Sequence, residues 1–188
     1  MKKMKMKEVY TPSFLSQFGE NKDSISKIEI MSEKPYIDLD KIVEIMGIRI
    51  IDENNLSCDQ DGKYMSDKKE ILLNPDKPAT RRRFTEAHEI GHAVLQHAGI
   101  SWREIDEDDQ DRWKEMAANG FAADLLMPRK LLVDFTEKYI RDKNLDEKRL
   151  TDHNINDLIV YLANQFGVSD ESMGYRVKNV NLFVESIY

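Results

Sequence analysis

The chain reads as an α+β protein, with a small sheet early and helices afterwards. Short aliphatic runs bounded by Gly, Asp and Pro crowd between residues 48 and 78, as strands do. From Arg81 onward the apolar residues recur at helical spacing. No internal repeat or low-complexity linker divides the 188 residues, a length that suits one domain of ordinary size.

Residues 1–35 carry little periodicity and many Lys, Ser and Glu, and are expected to form a loosely structured N-terminal arm. Asp38 can cap a helix whose residues Leu39, Ile42, Val43 and Met46 share a face, and Gly47 is placed to end it. Ile48–Ile51 reads as a strand, followed by two more near Lys63–Ser66 and Ile71–Asn74, in an antiparallel or mixed sheet of about three strands. Pro75 and Pro78 close the sheet, and Thr80 is the expected cap of a helix running to about Ala98. An acidic connection, Glu104 to Asp111, leads into a helix from about Asp109 to Leu126. Pro128 suits the first turn of the next, which carries Leu131, Leu132, Phe135 and Tyr139. A fourth has Asn154 as expected cap, an apolar stripe from Ile155 to Phe166, and Gly167 as stop. With a last short helix from Ser169 to about Val177, the end of the chain has a helix-turn-helix outline. The expected division is an arm over 1–35, a core over 36–150, and a helical segment over 151–188 packed on that core, one structural domain overall.

Composition excludes several classes. Lys and Arg total 28 against 35 Asp and Glu, a formal charge of −7 that disfavours a nucleic-acid binder. The last helix shows no local excess of positive charge either, setting Asp170 and Glu171 against Arg176 and Lys178. The single cysteine, Cys58, forms no internal disulfide, which points to a reducing compartment. No apolar run approaches the roughly 20 residues that span a bilayer, and none follows the basic start as in a signal peptide. A cytoplasmic protein without membrane or direct nucleic-acid contact is expected.

The chemistry lies in His88-Glu89-Ile90-Gly91-His92. Histidines four apart on a helix share a face, with Cβ atoms about 5–6 Å apart, and two neutral imidazoles there can hold one Zn²⁺. Glu89 adjoins the first of them, close enough to reach a metal-bound water as general base. This is the H-E-x-x-H arrangement of zinc hydrolases. Phe84, Ala87, Gly91, Val94, Leu95 and Ala98 supply a separate packing face, and Gly91, costing about 1 kcal/mol of helix propensity, is best explained by close packing. A catalytic zinc wants a third protein ligand. His97 points about 140° away from His92 on the helix. Glu115 is the better choice, on a helix whose Ala117, Ala118, Gly120, Ala122 and Ala123 allow close approach, with Asp111 and Asp124 as fallbacks. Asn119 shares the face of Glu115 and can hydrogen-bond a ligating histidine.

Two blocks carry a resemblance. Arg83-Phe84-Thr85 leads into Ala87-His88-Glu89-Ile90-Gly91-His92, and Glu115-Met-Ala-Ala118-Asn119-Gly-Phe121-Ala122-Ala123-Asp124 runs on to Met127-Pro128. In this order and spacing they resemble the ImmA/IrrE family of zinc metallopeptidases, over roughly residues 36–180. The resemblance implies a zincin-like core, His88, His92 and Glu115 as zinc ligands, and Glu89 as the catalytic glutamate. It also implies a substrate class: regulatory proteins, above all helix-turn-helix repressors encoded nearby, whose cleavage derepresses genes. Asp124 stands where the family more often has Glu. The alternative is a non-catalytic anti-repressor that keeps the fold and acts by binding.

Three further features stand out. An edge strand near Lys63–Ser66 can take an extended substrate by β-addition. Tyr175 is a candidate oxyanion donor, with a buried core tyrosine as the plainer account. Asp59-Gln-Asp61-Gly62 looks like a calcium loop but has Lys68 where the bidentate Glu belongs, and is rejected.

Overall fold

A computed structural model describes residues 3–56, 60–97 and 107–182. Cys58, Asp59 of the rejected calcium loop, Ala98, the acidic connection as far as Asp106 and the side chain of His97 lie outside the described residues.

The expected loose arm is not one. Residues 3–31 form β1 (Lys3–Lys5), α1 (Met6–Val9), α2 (Pro12–Ser16), a 3-10 turn at Gly19–Asn21, α3 (Lys22–Ile25) and β2 (Glu29–Met31), with β1 and β2 paired antiparallel. Met6 and Ile25 are fully buried, and Phe14, Leu15, Phe18 and Ile30 nearly so. The Phe14 and Phe18 rings lie 5.2 and 5.6 Å from that of Phe121, far along the chain. Each of these elements spans only three to five residues and turns at most two side chains fully inward. Pieces that short show no period, so burial came without a pattern.

The central elements follow their local signals closely. In α4 (Leu39–Met46) the Asp38 carboxylate accepts the Lys41 N–H, and Gly47, at φ +68, turns the chain out through the left-handed region. β3 (Arg49–Asp52), β4 (Gly62–Met65) and β5 (Glu70–Leu73) form a mixed sheet in the order β3-β5-β4. β5 is parallel to β3 and antiparallel to β4, so β4 is an edge, as β-addition requires. Ile71 and Leu73 are buried, while Lys63 stays exposed.

Helices cover one side of this sheet. α5 (Ala79–His97) begins one residue before Thr80, which therefore lies inside the helix rather than at its cap. α6 (Glu107–Leu126) packs on α5 at very short range. A Cβ on Gly91 would stand 3.1 Å from Phe121 Cδ1 and 3.2 Å from Ala118 Cα, so the glycine is there for the neighbour. Ala118 and Ala122 are fully buried in the same seam. α7 (Arg129–Asp142) follows Pro128, and α8 (Asp152–Phe166) begins earlier than expected. Thr151 is its cap, bonding the Asn154 N–H, while the Asn154 side chain accepts the Thr151 N–H in return. Asn154 is thus the third helical residue of a capping box, not the cap. Gly167, at φ +69, ends α8, and Ser169 caps α9 (Asp170–Asn179). Arg176 ties α9 to the end of α6 through Asp124 at 2.7 Å and the Met127 carbonyl at 2.9 Å. That guanidinium is unavailable to phosphates.

One buried carboxyl gives the fold a pH dependence. Glu86 on α5 has an Oε1 with no hydrogen-bond partner. Burial pushes its carboxyl from 4.5 up to about 7, with Asp40 adding to the rise and Arg83 and Arg82 opposing it. Between those values the folded chain keeps a proton that the unfolded chain releases, so stability falls as pH rises through the window. Glu86→Gln, which cannot ionise, is expected to exceed wild type by about 1–3 kcal/mol at pH 8 and to match it at pH 4. Urea unfolding at the two pH values checks this, and an equal difference at both would refute it.

Candidate metal centre

The site grows from the α5–α6 seam. Helical spacing brings His88 and His92 onto one face of α5, their ring centroids 4.6 Å apart. Their Nε2 atoms lie 3.0 Å from each other. Glu115 reaches across from α6 and places one oxygen 3.2 Å from each Nε2. The two imidazole nitrogens and the Glu115 carboxylate, which meets each nitrogen with a different oxygen, thus stand at the corners of a small triangle. Ligands about 2.0 Å from a tetrahedral ion are separated by roughly 3.3 Å, so the donor set fits a small divalent cation. Among the described residues it is the one His/Cys/Asp/Glu cluster of three or more with that convergence.

The surroundings prepare the histidines to ligate. Asn119 Oδ1 lies 3.0 Å from His88 Nδ1, where it can accept the N–H and leave the Nε2 lone pair bare. Burial, with the neighbouring His88, lowers the pKa of His92, so the ring is neutral, the form a metal needs. Replacing Asn119 by Ala is expected to weaken zinc affinity by about 10–100-fold with the fold intact. Competition against a chromogenic chelator measures this, and an unchanged affinity would dismiss the contact.

Glu89 lies beside the triangle but outside it. Its carboxylate is buried beneath β4 and Oε2 accepts the Tyr64 backbone N–H at 2.8 Å. Burial raises its carboxyl to about 7, the Tyr64 N–H opposes the rise, and the charge of Glu115 adds to it. A carboxyl in that range can take and return a proton near neutrality.

All these groups line one open cleft of about 830 Å³. One wall is β4, with Lys63 and Tyr64; the start of α5 contributes Arg81, and the start of α9 brings Ser169, Glu171 and Ser172. The cleft therefore combines a metal-fitting triangle, a buried proton acceptor and a strand edge.

The other sequence candidates go elsewhere. Asp111 is exposed and paired with Lys114, and Asp124 is held by Arg176, so neither fallback ligand reaches the triangle. Tyr175 is 63 % exposed on α9 and is not among the described residues that line the cleft, which fits neither the oxyanion donor nor the buried tyrosine. Sequence reasoning missed the Tyr64 N–H, which as a main-chain group leaves no side-chain signal.

The sequence model of the IrrE N-terminal-like domain, Peptidase_M78, matches residues 43–178. The chain belongs to this family. Two curated relatives are similar to this Peptidase_M78 chain, both named radiation response metalloprotease IrrE. The protein from Deinococcus deserti is 37% identical over 84 residues, covering 43% of this chain and 30% of its own length. The protein from Deinococcus radiodurans is 31% identical over 88 residues, covering 43% of this chain and 26% of its own. The matched part is thus under a third of either relative. A solved Mycobacterium tuberculosis transcriptional regulator shares the fold, with TM-score 0.57 and 18% identity, over 93% of this chain and 52% of that one.

Proposed function

We propose that this Peptidase_M78 chain is a zinc-dependent endopeptidase that hydrolyses a peptide bond in a regulatory protein, a helix-turn-helix transcriptional repressor encoded nearby, and so derepresses genes in the cytoplasm. The observation that carries the reading is the placement of buried Glu89 beside the His88, His92 and Glu115 triangle, in a cleft walled by a strand edge. The names of the Deinococcus relatives support the chemistry, and that of the Mycobacterium neighbour is in keeping with a regulatory setting. No helix among the described residues is long and apolar enough to cross a membrane.

His88, His92 and Glu115 would hold the zinc, with Asn119 orienting His88. Zinc bound there would supply Lewis acidity towards a peptide carbonyl and a water. Glu89 is the group that accepts the proton of the attacking water and passes it to the leaving amine. The outward backbone of β4 pairs with an extended stretch of substrate and brings its main chain along the cleft.

The test is direct. The zinc-loaded chain is incubated with the repressor encoded beside it, and new termini are sought by mass spectrometry. A single internal cut, abolished by a chelator, is expected. Intact repressor in the presence of fully loaded chain would overturn the peptidase reading in favour of a binding module.

A further inference from the structure

The general base has a partner that no side chain supplies. Glu89 on α5 accepts the Tyr64 N–H from β4, 25 positions away in the chain. The ladder fixes the direction of that N–H. The β4–β5 register sets Asp61 opposite Asn74, and the Asp61 carbonyl accepts the Asn74 N–H at 2.9 Å. Bonded and unbonded pairs alternate along an antiparallel ladder. Lys63 and Met65 therefore turn their N–H groups to β5, while Gly62 and Tyr64 turn theirs to the open edge. On an edge strand an outward N–H ordinarily meets water or an added strand. At Tyr64 it meets the Glu89 carboxylate, which stands where the carbonyl of a fourth strand would stand.

Close approach at Gly62 makes this possible. A Cβ there would lie 2.6 Å from Thr85 Cγ2 and 3.0 Å from the Leu72 carbonyl oxygen. Thr85 is one helical turn before Glu89 on the same face of α5. Any side chain at position 62 would lift β4 off the helix at the place where the strand must reach Glu89.

We propose that the Tyr64 backbone N–H is the positioning group of Glu89, and that Gly62 is the residue that lets β4 come low enough to deliver it. The inference rests on the reading of Glu89 as general base and adds what aims it. With Oε2 held at the strand edge, Oε1 is the oxygen left for proton transfer. The same bond consumes an outward donor of β4. A peptide joining the edge thus pairs with Gly62, and its carbonyl facing Tyr64 is left unclaimed by the strand.

Amide exchange tests the contact in the full, zinc-loaded, ¹⁵N-labelled chain. The Tyr64 amide is expected to be protected in the wild type, although it faces the open edge. In Glu89→Ala it is expected to exchange about tenfold faster or more, the worth of a hydrogen bond to a charged acceptor, with Lys63 and Met65 unchanged. Gly62→Ala is expected to release the Tyr64 amide too, and adding Thr85→Ser, which removes the obstructing methyl, to restore its protection. On a proteome-derived peptide mixture, Gly62→Ala is expected to lower kcat with zinc uptake unchanged, and the double variant to recover. A Tyr64 amide that exchanges freely in the wild type, or is indifferent to Glu89→Ala, overturns the inference. So does a Gly62→Ala chain that keeps both protection and kcat. The two readings fail separately: absence of any cleavage by wild type counts against the peptidase, whereas the exchange data judge the contact alone.

Discussion

Glu89→Gln is expected to cut peptide-bond hydrolysis by about 10²–10⁴-fold while leaving metal uptake intact. The substitution keeps the shape of the side chain and one carbonyl oxygen, so the Tyr64 N–H retains an acceptor. It removes the only property the mechanism asks of this residue, the capacity to take a proton and return it. The triangle of His88, His92 and Glu115 does not include Glu89, so zinc should load as before. Burial also penalises the ionised carboxylate, so the amide should leave the fold as stable as wild type or more so at pH 8. Side-by-side measurement of zinc content and cleavage decides the matter. Unchanged processing by a zinc-loaded Glu89→Gln chain would remove this residue from the chemistry altogether.

Zinc at a thousandfold excess over its dissociation constant is expected to stabilise the wild-type chain by about 4 kcal/mol, since it binds the folded form. For a chain of this size that corresponds to a rise in Tm of roughly 10 °C. His92→Ala is expected to abolish most of the rise. It deletes one corner of the triangle and leaves Glu115 without one of its two nearby nitrogens. The His92 side chain is only 19 % exposed at the cleft wall, so the variant's own metal-free Tm, rather than that of the wild type, is the baseline for its rise. Thermal scans with zinc and with chelator, on both chains, give the four values needed. Equal rises in the two would place the ion elsewhere.

The metal centre was legible in the sequence because each of its parts leaves a local trace. Two histidines four apart need only a helix to meet, and Gly91 with Ala118 and Ala122 marks the seam that carries Glu115 towards them. Asn119 follows from the same helical arithmetic. The central sheet was legible as three strands, antiparallel or mixed, but the choice between the two was not, because pairing direction is set by the connections and not by strand composition. The N-terminal segment was illegible for a different reason. Its inward side chains are scattered over pieces shorter than two helical turns, and their partners, such as Phe121, lie a hundred residues away. Thr151 and Asn154 offer similar side-chain oxygens three positions apart, so only the reciprocal bonding decides which is the cap.

The seam at Gly91 also sets a ruler. Two of the three donors ride on one helix backbone and the third on the other, and at Gly91 the helices come so close that a Cβ there would meet both the Phe121 ring and the Ala118 main chain. Such a close-packed seam yields little to strain. The seam therefore acts as a caliper with two jaws at the imidazoles and a third, adjustable one at the 58 % exposed Glu115 side chain. Ions that hold oxygen at about 2.0–2.2 Å fall within its jaws. Calcium, which keeps its oxygens at about 2.3–2.6 Å and wants six or more, is poorly served by two imidazole nitrogens and one carboxylate. A preference for a small cation is thus expected from the donor set and the α5–α6 spacing together, and a methyl group added at position 91 is expected to disturb it.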